Sequence, residues 1–157
     1  MRTVSTVLSA VVFLIVGCAS PPSELSETER TAVIDDITVV LDSFWGTWEA
    51  VDYDRGMSFY LDSPETVFTS GGATIVGFTA INDAFRPVFA NVQRQAVNLE
   101  EAHINVLSRA AVHVTESGTY TQFDGSGAEI TSASFSFSTT WVLRDGDWKI
   151  VTCHQSE

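Results

Sequence analysis

Apolar residues recur at helical spacing through Val33, Ile37, Leu41, Phe44 and Trp48, and Ile34, Val40 and Trp45 widen the stripe. Asp35, Asp36, Asp42 and Glu49 fall mostly outside it. Just upstream, Ser26-Glu27-Thr28-Glu29 has the S-x-x-E form of a capping box, in which side chains satisfy free N–H groups at a helix start. The pattern predicts a long amphipathic helix with two tryptophans near its C-terminal end. Asp54 is placed to cap a second, shorter helix through Met57, Phe59 and Tyr60, which accounts for its carboxylate without a catalytic role. Pro64 opens an extended stretch from Glu65 to Ser70, and Gly71-Gly72 turns it into Ala73–Val76 as a small hairpin. After Gly77 a third helix is expected from about Thr79, with Ile81, Ala84, Phe85, Val88 and Phe89 on its apolar side. Pro87 is expected to kink or restart it, because proline removes an intrahelical hydrogen bond.

From Ala96 the period changes to two. Strands are predicted over 96–107, 110–123, 129–143 and 147–155, with Asp124-Gly125-Ser126-Gly127 and Asp145-Gly146 as turns. In the first strand the apolar parity switches between Val97 and Leu99 and then Ala102, Ile104 and Val106. A face change within one strand implies a bulge near Glu100-Glu101. In the third, Ala133, Phe135, Phe137, Thr139, Trp141 and Leu143 alternate with Ser132, Ser134, Ser136, Ser138 and Thr140. One face is aromatic and the other rich in hydroxyls. The element order gives an α+β domain.

The N-terminus reads differently. Arg2 precedes an apolar run from Val4 to Val16, shorter than the roughly 20 residues of a membrane-spanning helix and of signal-peptide length. It ends Leu14-Ile15-Val16-Gly17-Cys18, which resembles a bacterial lipobox; the resemblance implies cleavage before Cys18 and lipid on that cysteine. The expected organisation is therefore a signal peptide over 1–17, a lipidated tether over 18–25 that buries nothing in the core, and one domain over 26–157. The expected location is the cell envelope, lipid-anchored and extracytoplasmic. Ala19 after the cysteine, instead of an aspartate, resembles the pattern of lipoproteins sent to the outer membrane where an organism has one.

The formal net charge of −12 repels phosphate backbones and anionic headgroups, which argues against nucleic-acid binding and leaves acyl chains as the means of membrane attachment. With Cys18 lipidated, Cys153 has no partner for a disulfide and reads as a small buried hydrophobe. No G-x-G-x-x-G, P-loop or H-E-x-x-H is present, and no cofactor is expected.

The order of helices and strands resembles the NTF2-like fold, a cone of curved antiparallel sheet wrapped around a long N-terminal helix, with two further helices. Closer similarity is to its SnoaL-like and DUF4440-type members. It rests on Trp45 and Trp48, on Asp54 and Gly77, and above all on the run Thr140-Trp141-Val142-Leu143-Arg144-Asp145-Gly146-Asp147-Trp148-Lys149-Ile150-Val151 leading to His154-Gln155-Ser156. The resemblance covers 26–156. Enzymatic relatives such as ketosteroid isomerase, scytalone dehydratase, SnoaL cyclase and limonene epoxide hydrolase place an Asp or His inside the cone. In the related hub domain of calmodulin-dependent kinases, arginines line the pocket at positions aligning with Thr139 and Gln155, and their absence here argues against a strongly anionic ligand.

The inward face of the third long strand is expected to carry Phe135, Phe137, Thr139 and Trp141, without a carboxylate. Glu100, Glu101 and Glu116 are read as solvated or bulge positions. The orientation of His154 depends on one turn. If Asp145-Gly146 is a two-residue loop, Leu143 pairs with Trp148 and His154 joins the Phe137 and Thr139 face; a bulged three-residue loop sends Cys153 and Gln155 inward instead. A turn at Ser108-Arg109 sets His113 opposite Ile104 and His103 opposite Val114. The two histidines then lie on opposite faces, and no metal site is expected.

The leading expectation is a binding domain for a small, largely apolar ligand. Its pocket would be lined by Trp45, Trp48, Tyr60, Phe135, Phe137 and Trp141, with Thr139 and Gln155 as sparse polar contacts. The alternatives are an isomerase, dehydratase or cyclase using His154 as general base, and a homodimeric assembly module pairing through the row Ser132 to Ser138.

Overall fold

The computed structural model describes residues 24–156; the segments expected as signal peptide (1–17) and tether (18–25), Cys18 included, lie outside the described residues except for the last two positions. Helix α1 spans Glu27–Glu49 and carries the full capping box, with Ser26 accepting from the Glu29 amide and Glu29 accepting from that of Ser26. Its stripe is buried at Val33, Ile37, Leu41, Phe44 and Trp48. Leu25 also packs against the core, so the domain begins one residue before its helix cap and the last tether residue is not free. Helix α2 covers Tyr53–Ser58, and its N-cap is Asp52, not Asp54: the Asp52 carboxylate accepts from the Arg55 amide. Asp54 stands in the first turn and bonds Arg86 at 3.1 Å.

Strands β1 (Val67–Ser70) and β2 (Ala73–Val76) form the expected hairpin, and both turn glycines take positive φ, 56° and 78°, as a two-residue turn of the primed kind requires. Helix α3 runs Phe78–Phe89. Pro87 does not break it; the helix ends two residues later, at Phe89, with Ala90 as its C-cap, so the proline disturbs only the last turn. Four long strands follow: β3 (Arg94–Ser108), β4 (Ala111–Phe123), β5 (Glu129–Arg144) and β6 (Asp147–Ser156). The sheet order is β2-β1-β6-β5-β4-β3, with β1 and β6 parallel and every other neighbour antiparallel. The sheet is curved and unclosed, and α1 fills its concave side as a cone folded on a helix.

Bulges produce the curvature. Glu100 is the extra residue that breaks register between Leu99 and Glu101, where the parity switch predicted it. Opposite this bend is Gly118, where an added Cβ would sit 2.2 Å from the Asn98 carbonyl oxygen, so the strands approach as closely as only glycine allows. A second bulge lies in β6, where Thr140 pairs with Thr152 but Trp141 pairs with Ile150, leaving Val151 extra. Between β3 and β4 the register differs from expectation by one: Ile104 faces Val114, Asn105 faces His113 and His103 faces Thr115. The turn falls at Arg109-Ala110, one residue later than expected, so Ser108 pairs with Ala111, and the extra Leu107 in β3 then reverses the parity of everything beyond it. His103 and His113 therefore share the outer face. They do not meet: His103 lies beside Glu101, and His113 bonds Thr140.

Candidate functional site: an aromatic cavity in the cone

The concave side of the sheet and α1 leave a cavity of about 260 Å³ between them. Helical spacing brings Phe44, Trp45 and Trp48 of α1 to its floor. Phe135 and Phe137, two apart on β5, form the wall facing them, with Trp45 at 5.4 and 5.6 Å between ring centroids. Phe85, Val88 and Phe89 of α3 cover another side, and Phe89 leans on Trp48 at 5.0 Å. Gly56 of α2 lies so close under Trp48 that a Cβ would be 2.7 Å from the indole, so this glycine sets the height of the floor.

Polar groups enter from the strand ends. Gln95 of β3 and Gln122 of β4 face each other across the ladder, and the Gln122 amide donates to Gln95 at 2.6 Å. Ser70 of β1 pairs with Gln155 of β6, and both reach the cavity, as does Tyr120. Every ionisable lining side chain is a tyrosine, and none of the lining residues is Asp, Glu, His, Lys, Arg or Cys.

Of the residues singled out from sequence, Trp45, Trp48, Tyr60, Phe135, Phe137 and Gln155 line this cavity. Thr139 and Trp141 do not. Both are 0% exposed, beneath the floor, where the Trp141 indole donates to the Thr139 hydroxyl at 2.8 Å and packs edge-on against Phe44. The cone closes around Phe44 before it reaches them. His154 is exposed on the outer face, opposite Ser138. The turn at Asp145-Gly146 is the two-residue form, with Leu143 paired to Trp148 and positive φ at both turn residues. That register would have turned His154 inward, but the Val151 bulge reverses the parity again and sends Cys153 and Gln155 in. Cys153 is buried against Tyr60, and burial raises both the thiol and the phenol above their ordinary values.

One residue behind the wall escaped the sequence reading. Glu116 of β4 is 2% exposed, on the inner face opposite Phe137. Its Oε1 accepts from the Trp45 indole at 2.9 Å, while Oε2 is buried without a partner among the described residues. Burial pushes its carboxyl above the usual range, opposed only by the Trp45 hydrogen bond. The signal for it was present: Glu116 shares the parity of Val112 and Val114. Among the described residues no group of three or more His, Cys, Asp and Glu is arranged to hold a metal, and no helix is long and apolar enough to cross a membrane.

The sequence of residues 37–157 matches the family described as SnoaL-like domain. No curated protein sequence matches the chain. Solved structures share its fold at low identity. A nuclear transport factor 2-like superfamily protein from Salmonella enterica is 20% identical at a TM-score of 0.70, over 81% of this chain and 92% of that one. A putative scytalone dehydratase from Novosphingobium aromaticivorans is 10% identical at 0.70, over 83% and 87%. A putative calcium/calmodulin dependent protein kinase II association domain from Xanthomonas campestris is 16% identical at 0.62, over 92% and 96%.

Proposed function

Because the chain belongs to the SnoaL-like domain family, we propose that its cone is a receptor for a small, largely apolar molecule, held at the cell envelope by lipid on Cys18. The observation that carries this reading is the lining: ten of its sixteen residues are aromatic, and its polar members are neutral. Such a surface gains from excluding water over apolar area, while one or two amides fix orientation. A volume of about 260 Å³ suits a compact molecule of one or two rings. The anchor rests on the signal-like run and Cys18, with residues 1–17 as signal peptide, 18–24 as tether and the domain from Leu25, which packs against the core.

The isomerase, dehydratase or cyclase alternative loses its intended base, since His154 faces away from the cavity and the Thr139 hydroxyl is out of reach. The two dehydratase names among the structural neighbours belong to proteins 15% and 10% identical, a likeness of fold. Pairing of two copies through the outer hydroxyl row remains compatible with binding, because that row lies on the opposite face of the sheet from the cavity. Its Ser and Thr side chains bond one another across strands, as at Thr121 and Ser132, 3.0 Å apart.

Trp45 and Trp48 line the cavity and serve as reporters. Titrating the protein with neutral aromatic compounds bearing one or two hydrogen-bonding groups should give a saturable change in tryptophan emission. The change should persist in His154→Ala. No response across the panel, or loss of response in His154→Ala alone, would overturn the reading.

A further inference from the structure

The cavity has a polarity that its lining alone does not reveal. Glu116 is set directly behind Trp45, with its second oxygen unpartnered among the described residues. A buried carboxyl with an unused oxygen beside a ligand-sized cavity is costly unless something offsets it. No cationic side chain does so: its environment reduces to burial and the indole N–H. The arginines next in sequence to the lining residues Phe85 and Gln95 are occupied elsewhere. Arg86 bonds Asp54 and lies over Tyr53 at 4.7 Å, and Arg94 lies over Phe123 at 3.5 Å.

Aromatic faces carry negative potential and attract cations, most strongly from tryptophan and when the site is dry. An indole whose N–H donates to a carboxylate becomes richer in electrons, so Glu116 strengthens the Trp45 wall from behind without touching the ligand. The whole chain, at −12, draws cations towards it and contributes no positive residue to the lining. We propose that the cavity takes an organic ammonium ion, with Glu116 as its buried counter-charge acting through Trp45. This rests on the reading of the cavity as a binding site and names the ligand's class. A quaternary ammonium fits best, because it sheds water readily and has no N–H that the aromatic floor would leave unpaired.

The test compares choline with 3,3-dimethylbutan-1-ol, its neutral carbon isostere, by calorimetry at constant ionic strength. Choline should bind at least tenfold more tightly. In Glu116→Gln, which preserves shape and an acceptor for the indole, that preference should collapse while affinity for the alcohol stays the same. Trp45→Phe provides a second variant that keeps an apolar wall, and it should also lose the preference; near-ultraviolet circular dichroism establishes that each variant is folded. Equal or tighter binding of the alcohol, or a choline preference unchanged in folded Glu116→Gln, overturns the proposal. If the neutral aromatic panel binds and choline does not, the ammonium assignment fails alone. If neither binds, the binding-site reading fails with it.

Discussion

Thr139 and Trp141 provide a stringent check, because the sequence pattern assigns them to the ligand while the structure makes them each other's partners. The indole donates to the hydroxyl at 2.8 Å, and both residues are fully buried. Replacing either one alone strands the other's polar group in a dry interior, at about 1–3 kcal/mol. Trp141→Phe also deletes part of a buried ring, a fraction of the roughly 3–5 kcal/mol that removing a whole aromatic side chain costs. The expected losses are thus about 2–4 kcal/mol for Trp141→Phe and about 1–3 kcal/mol for Thr139→Val. In the double variant no group is stranded, so its loss should fall short of the sum by about 1–2 kcal/mol. A domain with roughly 5–15 kcal/mol of stability stays folded enough for the cycle to be measured. Urea unfolding followed by far-ultraviolet circular dichroism reads all four proteins. Additivity within about 0.5 kcal/mol would refute the reasoning, as would a Thr139→Val variant that keeps its stability and loses ligand affinity.

Three further outcomes follow from particular contacts. Burial raises the Glu116 carboxyl above its ordinary 4.5, so only in the pH interval between 4.5 and the raised value does the folded state hold a proton that the unfolded chain has lost, and above it the group is the carboxylate; this contribution to stability should fall as pH rises through that interval, and Glu116→Gln should flatten that slope in thermal unfolding. Gly118→Ala drives a Cβ to 2.2 Å from the Asn98 carbonyl at the β3 bend, and should cost at least about 3 kcal/mol by denaturant midpoint. Cys18→Ser should abolish labelling by a fatty-acid analogue and release the protein from membranes without lowering its melting temperature, because no basic patch replaces the lost chains, each of whose methylenes contributes about 0.8 kcal/mol; equal labelling of the wild type and the variant would dispose of the anchor.

Periodicity made most of the architecture legible. The stripe from Val33 to Trp48, the Ser26 capping box, the glycine turn at Gly71-Gly72 and the parity switch at Glu100 each have a local cause, and each appears in the structure. Extra residues were not legible when they left no mark on the hydrophobic pattern. Val151 is apolar between Ile150 and Thr152, so its displacement cost no contrast in the sequence, yet it exchanged His154 for Gln155 at the cavity. Leu107 likewise shifted β3 against β4 and put His103 and His113 on one face. Asp52 and Asp54 carry the same chemistry two residues apart, and only the backbone decides which one caps. Glu116 has the residue type of a solvated position but the parity of the buried valines, and parity decides its place on the inner face.

Whether the aromatic cavity binds a ligand is read by calorimetry of the tightest compound in the neutral aromatic panel, repeated across temperatures. One molecule should bind per chain with a negative heat-capacity change, the mark of apolar surface leaving water. Val97→Trp, which fills the cavity from β3, should abolish the heat while the domain stays folded. Binding that is undiminished in this filled variant, or that shows no heat-capacity change, would place the ligand somewhere else on the protein.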